Sequence, residues 1–194
     1  MSKVACPQGG AIEMVVKKRP MRVDEYEELK WVGPCERAIK KSIEELSGGK
    51  LILIPMGYGA TSDKPLKEIP VEQKIKHLDF DVKCNRKFIA IIEVSCTRYT
   101  FDGSKFFPIA AYKVRDENSP IYYVYSLELE PYDLPKRCWW ITKENAMKNL
   151  LQKDLIWLQT KRPGGPKRQL NYLTNKHSWT QGLQSIVNEL LKLC

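Results

Sequence analysis

The sequence predicts an α/β fold, or a closely related α+β fold, in which helices pack on a mixed β-sheet. Three features support this prediction: an amphipathic segment before a short apolar run, a candidate hairpin in mid-chain, and an amphipathic helix at the end. At 194 residues the chain is long enough for one buried core with a small appendage.

Two helices are expected before the first strand. Residues 23–33, "VDEYEELKWVG", form a candidate short helix that Gly33 and Pro34 would end. Pro34 suits the first turn of a second helix, and Gly48 and Gly49 would stop it.

The second helix places one acid beside its buried side. Ile39, Ile43 and Leu46 recur with helical spacing and form the apolar stripe. Glu36 falls within roughly 20° of Ile43 on the helical wheel, whereas Glu45 points away. Glu36 is therefore either a functional group near the core or a first-turn acid favoured by the helix dipole.

The later elements are mostly strands. A buried strand is expected in "KLILIPM", followed by a loop, the hairpin at 77–97, and a turn or short helix, "TFDGSKFFP", ending before Pro108. Further strands are predicted for "IAAYKV", "IYYVYSLELE" and "RCWWIT". Helices are predicted for "KENAMKNLLQKDLIWLQ" and for "SWTQGLQSIVNELLKL", the latter capped by Ser178, with the loop "TKRPGGPKRQ" between them.

The hairpin carries carboxylates inside runs that otherwise resemble a core. Because strand side chains alternate, Asp79, Asp81 and Lys83 share one face of the first run. If the turn leaves an odd number of residues unpaired, Asp79 lies across from Glu93 and Asp81 across from Ile91. An even turn puts the acids on opposite faces, and the sequence does not fix the parity.

Converging carboxylates would need a cation. Neighbouring carboxylates repel, and a hard divalent ion such as Mg²⁺ (or Mn²⁺) with oxygen ligands relieves that repulsion and can activate water for phosphate hydrolysis. His77 is either a further ligand or only the first residue of the strand. The alternative is a solvated sheet face in which Glu93 pairs with Lys83 or Arg86.

An acid near the start of one strand, a hairpin and then "IIEVS" resemble the PD-(D/E)XK nuclease superfamily. The helix with Glu36 is similar to the first helix of that fold, whose glutamate joins the metal site in archaeal Holliday-junction resolvases. The resemblance spans roughly residues 34–130 and implies a restriction-endonuclease-like core. We divide the chain into an N-terminal segment 1–33, a nuclease-like core 34–142 and a basic helical region 143–194.

The resemblance also implies site residues. Asp81, or alternatively Asp79, would be the first metal ligand, and Glu93 the second. Glu36 would be an auxiliary ligand. Ser95 stands where the family has the lysine that polarises the attacking water and stabilises charge in the transition state.

Some members of that family supply the amine from elsewhere in the chain. Lys83 lies on the face of the acids, while Lys105 and Lys113 follow the hairpin. If none of these amines reaches the site, the chain has kept binding and lost catalysis.

The net charge of +9 is concentrated near the C-terminus, where residues 135–194 carry 11 Lys and Arg against 3 Asp and Glu. A localised basic surface suggests a polyanionic partner, with DNA the default, or else a solubilising face. The aromatics are more often core residues than base-stacking platforms. Candidate nucleic-acid contacts are Lys161, Arg162, Lys167, Arg168, Lys176 and Tyr172.

The six cysteines are scattered without a CxxC pair, which argues against structural zinc or a bacterial-type iron–sulfur cluster. They are expected to be reduced and buried, with a Cys84–Cys96 disulfide across the hairpin as the alternative. No run approaches the ~18 apolar residues that cross a bilayer, and no secretory signal is recognised. We therefore expect no membrane partner and a cytoplasmic, intracellular location. The Lys/Glu/Ile-rich composition suggests an archaeal or viral thermophile.

Three functions remain open at this point. The first is a metal-dependent DNA nuclease of PD-(D/E)XK type, either endonuclease or exonuclease. The second is a nucleic-acid-binding protein on the same fold without catalysis. The third is a structural or assembly protein, and a homodimer is compatible with all three.

Overall fold

The computed structural model describes residues 23–56, 79–97, 106–114, 118–127, 137–160 and 167–194. Its helices are α1 (Val23–Leu46), α2 (Lys143–Lys148) and α3 (Leu183–Leu191), with short 3-10 turns at Ala111–Lys113 and Lys176–Ser178. Its strands are β1 (Leu51–Pro55), β2 (Phe80–Cys84), β3 (Lys87–Thr97), β4 (Phe106–Ala110), β5 (Ile121–Leu127), β6 (Arg137–Thr142), β7 (Ile156–Thr160), β8 (Lys167–Asn175) and β9 (Thr180–Gln181).

The strands form two sheets. The main sheet has six strands in the order β1-β2-β3-β5-β6-β9, and only the β3–β5 pair in it is parallel. A second, antiparallel sheet has the order β4-β8-β7. The predicted mixed α/β character, with a mixed sheet and a few helices, is therefore confirmed for the described residues.

Each face of the main sheet buries its own core. On one face, α1 and α3 cover apolar side chains that include Ile39, Phe80 and Ile92. On the other face, β4 of the second sheet packs an aromatic cluster against β5 and β6. In that cluster the Phe107 ring stacks on Tyr125 with centroids 4.5 Å apart and meets Trp179 edge-on at 5.0 Å. The expectation that most aromatics are core residues holds for these side chains.

The turn of the β2–β3 hairpin contains two residues, Asn85 and Arg86, both with positive φ (50° and 67°), as in a type I′ turn. A one-residue bulge at Ile89 follows, because the register shifts between Val82 and Lys83. The even turn and the bulge together restore the register expected from an odd turn, with Asp81 opposite Ile91. Asp79 and Glu93 therefore share a face because of the bulge, and the length of the turn alone would not place them there.

The N-terminal boundaries differ from the sequence prediction. One helix, α1, runs through Gly33 and Pro34 without a break. A proline removes one backbone hydrogen bond and disfavours, but does not forbid, a continuing helix. Ile39 and Ile43 are fully buried as expected, whereas Leu46 is 45% exposed because the helix ends there.

Two segments expected to be helical or irregular are strands instead. The predicted helix over "KENAMKNLLQKDLIWLQ" ends at Lys148, because residues 156–160 pair with β8 as strand β7. The C-terminal region is therefore not mainly helical. Similarly, 106–110 is strand β4, in which Pro108 is tolerated because β4 lies at the edge of its sheet.

The last helix begins later than predicted. Ser178 does not cap it; its hydroxyl donates to the Asn175 carbonyl at 2.6 Å within a 3-10 turn. Thr180 pairs with β6 as part of β9, so the helical conformation starts only after Gly182, whose φ is 96°.

The cysteines are not all reduced. Cys84, at the end of β2, forms a disulfide with Cys194, which excludes the alternative Cys84–Cys96 pairing. Cys35 is also disulfide-bonded, while Cys138 is a buried free thiol whose pKa burial raises to about 11. Among the described residues, no helix is both long and apolar enough to cross a membrane.

The Cys84–Cys194 disulfide spans 110 residues, and we expect it to contribute about 4–5 kcal/mol by restricting the unfolded chain. Cys194→Ser tests this, because Cys194 is exposed and serine fits there without repacking. Urea unfolding should show the loss, while Cys138→Ser, which removes no disulfide, serves as the control. Equal unfolding midpoints for Cys194→Ser and the parent protein would contradict the expectation.

Candidate active site

Two acids meet where β2 begins. The register Phe80 opposite Ile92 continues one step to bring Asp79 opposite Glu93. The backbone N–H of Val94 donates to Asp79 Oδ2 at 2.7 Å, and the Asp79 backbone N–H donates to the Glu93 carboxylate. The two side chains also share a hydrogen bond. The hairpin therefore locks both carboxylates in place through its own backbone.

A third acid comes from α1. Glu36 is only 8% exposed and follows the buried Cys35, one turn before Ile39, which fixes this side of the helix against the main sheet. Its prediction as an acid beside the buried stripe is confirmed. Its carboxylate interacts electrostatically with Asp79 and Glu93, so three acids from two elements act on one another.

The amine at this site comes from the second sheet. Lys113 ends the 3-10 turn Ala111–Lys113, directly after β4, and its Nζ forms an ion pair with Glu93 Oε1. Lys113 is 18% and Glu93 only 4% exposed at the side chain, so the pair is shielded from bulk water. The main chain of the same lysine is held by Tyr123, whose hydroxyl donates to the Lys113 carbonyl at 3.2 Å.

Burial dominates the electrostatics of this cluster. It raises the pKa of Glu36 to about 9 and that of Glu93 to about 7, and it also raises the pKa of Asp79. Repulsion from Asp79 adds to the rise in both glutamates, while the Lys113 ammonium opposes the rise in all three acids. With one lysine beside three carboxyl groups, the protonated forms of the acids are favoured over their charged forms.

The other sequence-predicted site residues lie near the cluster or farther along the sheet. Asp81 is half-buried opposite Ile91, two residue pairs from the Asp79–Glu93 pair and on the same face. Ser95 is half-buried on β3 and follows Glu93 by two residues on that face. Of the two candidates for the first-ligand position, Asp79 rather than Asp81 lies opposite Glu93.

Of the three candidate amines, Lys113 reaches Glu93. Lys83 lies opposite Phe88, five residues from Glu93 along β3, a separation of roughly 16 Å at ~3.3 Å per residue. Lys105 and the candidate ligand His77 lie outside the described residues.

The predicted nucleic-acid contacts are only partly described. Lys161 and Arg162 lie outside the described residues, and Lys167 and Arg168 are placed in β8 by their backbone. Tyr172 is half-buried in β8. The Lys176 ammonium lies 5.6 Å from the centre of the Phe107 ring and 5.5 Å from that of Trp139, so this cation packs on the aromatic cluster.

Sequence reasoning did not identify Tyr123. Tyr123 lies beside Glu93 because β3 and β5 pair in parallel, and no local sequence motif predicts that pairing. Lys113 was one of three candidate amines, and only the packing of the second sheet distinguishes it. In the part of the chain that the structure describes, no three His, Cys, Asp or Glu side chains are arranged to hold a metal ion together.

Comparisons with known proteins return no match to any family model, curated protein or solved structure.

The pH dependence of stability tests the buried cluster. Because the pKa of Glu36 is higher in the folded state, that state binds the proton more tightly, and folding stability should fall as pH rises from about 4.5 to about 9. One group contributes at most about 1.4 kcal/mol per pH unit. Glu36→Gln removes this contribution, so the variant should be more stable than the parent at pH 8.

Urea unfolding at pH 5 and pH 8 measures the effect, with Glu45→Gln on the exposed side of α1 as the matched control. If Glu36→Gln and Glu45→Gln lose the same amount of stability between pH 5 and pH 8, the pKa of Glu36 is not raised as described.

Proposed function

We propose that this chain is a metal-dependent deoxyribonuclease of PD-(D/E)XK type that hydrolyses phosphodiester bonds. The observation that carries the proposal is the ion pair between Lys113 and Glu93 inside a cluster with Asp79 and Glu36. An acid pair with a nearby amine is the chemistry that the resemblance implies. Ser95 carries no amine, and the amine at this site belongs to Lys113, in the 3-10 turn after β4.

The order of elements supports the same proposal. A helix carrying the first acid precedes three antiparallel strands, and a fourth strand of the sheet, β5, runs parallel to β3. The second and third acids lie at the open end of the β2–β3 hairpin, away from its turn. We infer a restriction-endonuclease-like core from this arrangement.

The donor set fits Mg²⁺ or Mn²⁺. Its ligating atoms would be carboxylate oxygens, which hard divalent cations prefer. Mg²⁺ keeps several waters and needs only one or two protein carboxylates, so Asp79 and Glu93 suffice to hold it. When bound, the ion would supply an activated water and a Lewis acid for the phosphate.

The chain's own residues have separate tasks in this proposal. Asp79 and Glu93 hold their carboxylates in fixed directions, since backbone N–H groups donate to both. Glu36, whose pKa is raised to about 9 by burial, is protonated at neutral pH when no cation is bound, and it is an auxiliary group rather than a required ligand. Lys113 places an ammonium beside Glu93, where it can donate to a phosphate oxygen and balance charge that develops in the transition state.

DNA is the proposed substrate because the chain's excess positive charge is concentrated in residues 135–194. We place this activity in the cytoplasm. Because disulfides persist inside cells mainly in hyperthermophiles, the Cys84–Cys194 disulfide together with a cytoplasmic location implies a thermophilic source.

A binding protein without catalysis is the second candidate. Ser95 at the motif-lysine position favours it, as does a Glu93 carboxylate already occupied by Lys113. The two candidates differ in what happens to bound DNA when a divalent cation is added.

The cleavage test uses purified protein with single-stranded, duplex and branched DNA, with Mg²⁺, Mn²⁺ or chelator. We expect cation-dependent cleavage that falls by about 10²–10³-fold in Lys113→Met, since a preorganised charge is lost. Lys83→Met is the matched control because it removes a lysine on the same sheet but far from Glu93. Cleavage that is equal in Lys113→Met and the parent would overturn the role assigned to Lys113, and no cleavage on any substrate would sink the nuclease proposal; salt-sensitive retention without cleavage would support the second candidate.

Metal binding can be measured apart from cleavage. Titration calorimetry with Mn²⁺ should show binding to the parent protein and its loss in Asp79→Asn, with Glu45→Gln unaffected. Lys113→Met should bind Mn²⁺ more tightly than the parent, because it frees the Glu93 carboxylate from a competing cation. Weaker binding in Lys113→Met would mean that the lysine is needed to form the site, contrary to the roles assigned here.

A further inference from the structure

Tyr123 connects the two halves of the candidate active site. It lies on β5, is 3% exposed, and is the register partner of Glu93 across the parallel β3–β5 pair. Its ring belongs to the core shared with Phe107 and Ile109 of β4. Tyr123 therefore lies beside β3, which carries Glu93, and packs on β4, which leads to Lys113.

The hydroxyl of Tyr123 acts at a defined point of the lysine turn. It donates to the main-chain carbonyl of Lys113 at 3.2 Å. Inside the turn, the Val114 N–H donates to the Ala111 carbonyl, and before it Ala110 pairs with Asn171 of the second sheet. The first contact closes the turn and the second joins its start to the second sheet, whereas the Tyr123 hydroxyl joins it to the sheet that carries Glu93.

We propose that Tyr123 is a positioning residue that sets the Lys113 ammonium relative to Glu93. This inference rests on the proposed nuclease function and assigns a role in it to a residue outside the acid–lysine motif. A buried phenol needs a hydrogen-bond partner in any core. Here the partner is the main-chain carbonyl of Lys113, and the amine of Lys113 pairs with Glu93, the strand neighbour of Tyr123. The hydroxyl therefore constrains the geometry of the site.

Tyr123→Phe removes the hydroxyl and keeps the ring. A displacement of a catalytic group by about 1 Å can cost up to about 100-fold in rate, so we expect cleavage to fall about 10- to 100-fold. Tyr122→Phe is the matched control, since Tyr122 is equally buried but faces the opposite core with α1 and α3.

A double-mutant cycle separates positioning from general packing. If Tyr123 acts through Lys113, adding Tyr123→Phe to Lys113→Met should cause no further loss of cleavage. A purely structural tyrosine would instead lower the rate by the same factor in both backgrounds, and that result would overturn the inference.

A second measurement does not depend on activity. NMR of protein with ¹³C-labelled lysine, with the Lys113 resonance assigned by its absence in Lys113→Met, reports changes in the surroundings of the ammonium. Tyr123→Phe should shift or broaden that resonance, and Tyr122→Phe should not. An unchanged Lys113 resonance in Tyr123→Phe overturns the positioning role; a displaced resonance in a protein that cleaves nothing overturns the nuclease proposal alone.

Discussion

The burial of three carboxyl groups against one ammonium is the constraint on which this structure depends. Glu36, Asp79 and Glu93 come from α1 and the β2–β3 hairpin, and removal from water raises the pKa of each. Such a cluster lowers stability unless hydrogen bonds and counter-charge compensate. The backbone of the hairpin supplies the hydrogen bonds, and Lys113 supplies the charge. The counter-charge is in place only once the second sheet has packed on the main sheet, because Lys113 directly follows β4.

The hairpin register decides whether the acids meet at all. A two-residue turn at Asn85 and Arg86 would by itself place Asp79 and Glu93 on opposite faces. The bulge at Ile89 reverses that outcome by inserting one unpaired residue. Deleting the bulge would return the acids to separate faces and would exchange the two faces of β3 relative to β2. The bulge therefore serves both the core and the site.

Sequence reasoning recovered the parts of this protein that depend on local pattern. Helical spacing placed Glu36 beside the buried stripe, and strand alternation placed Asp79 on the face that could meet Glu93. It failed where long-range pairing decides: residues 156–160 carry a helix-like apolar pattern but become β7 because β8 lies beside them. Lys113 and Tyr123 depend on the same kind of contact, between elements that no spacing rule connects.

Because Lys113 and Glu93 come from different elements, the geometry of the site depends on how the two sheets pack together. A lysine two residues after Glu93, in place of Ser95, would be held by the same strand as its acid. Here acid and amine belong to different sheets, so their separation depends on the aromatic packing of Phe107 against Tyr125 and Trp179. Any change that loosens this cluster should move Lys113 before it unfolds the chain. The aromatic cluster, although distant from the acids in sequence, is thus part of the geometry of the site.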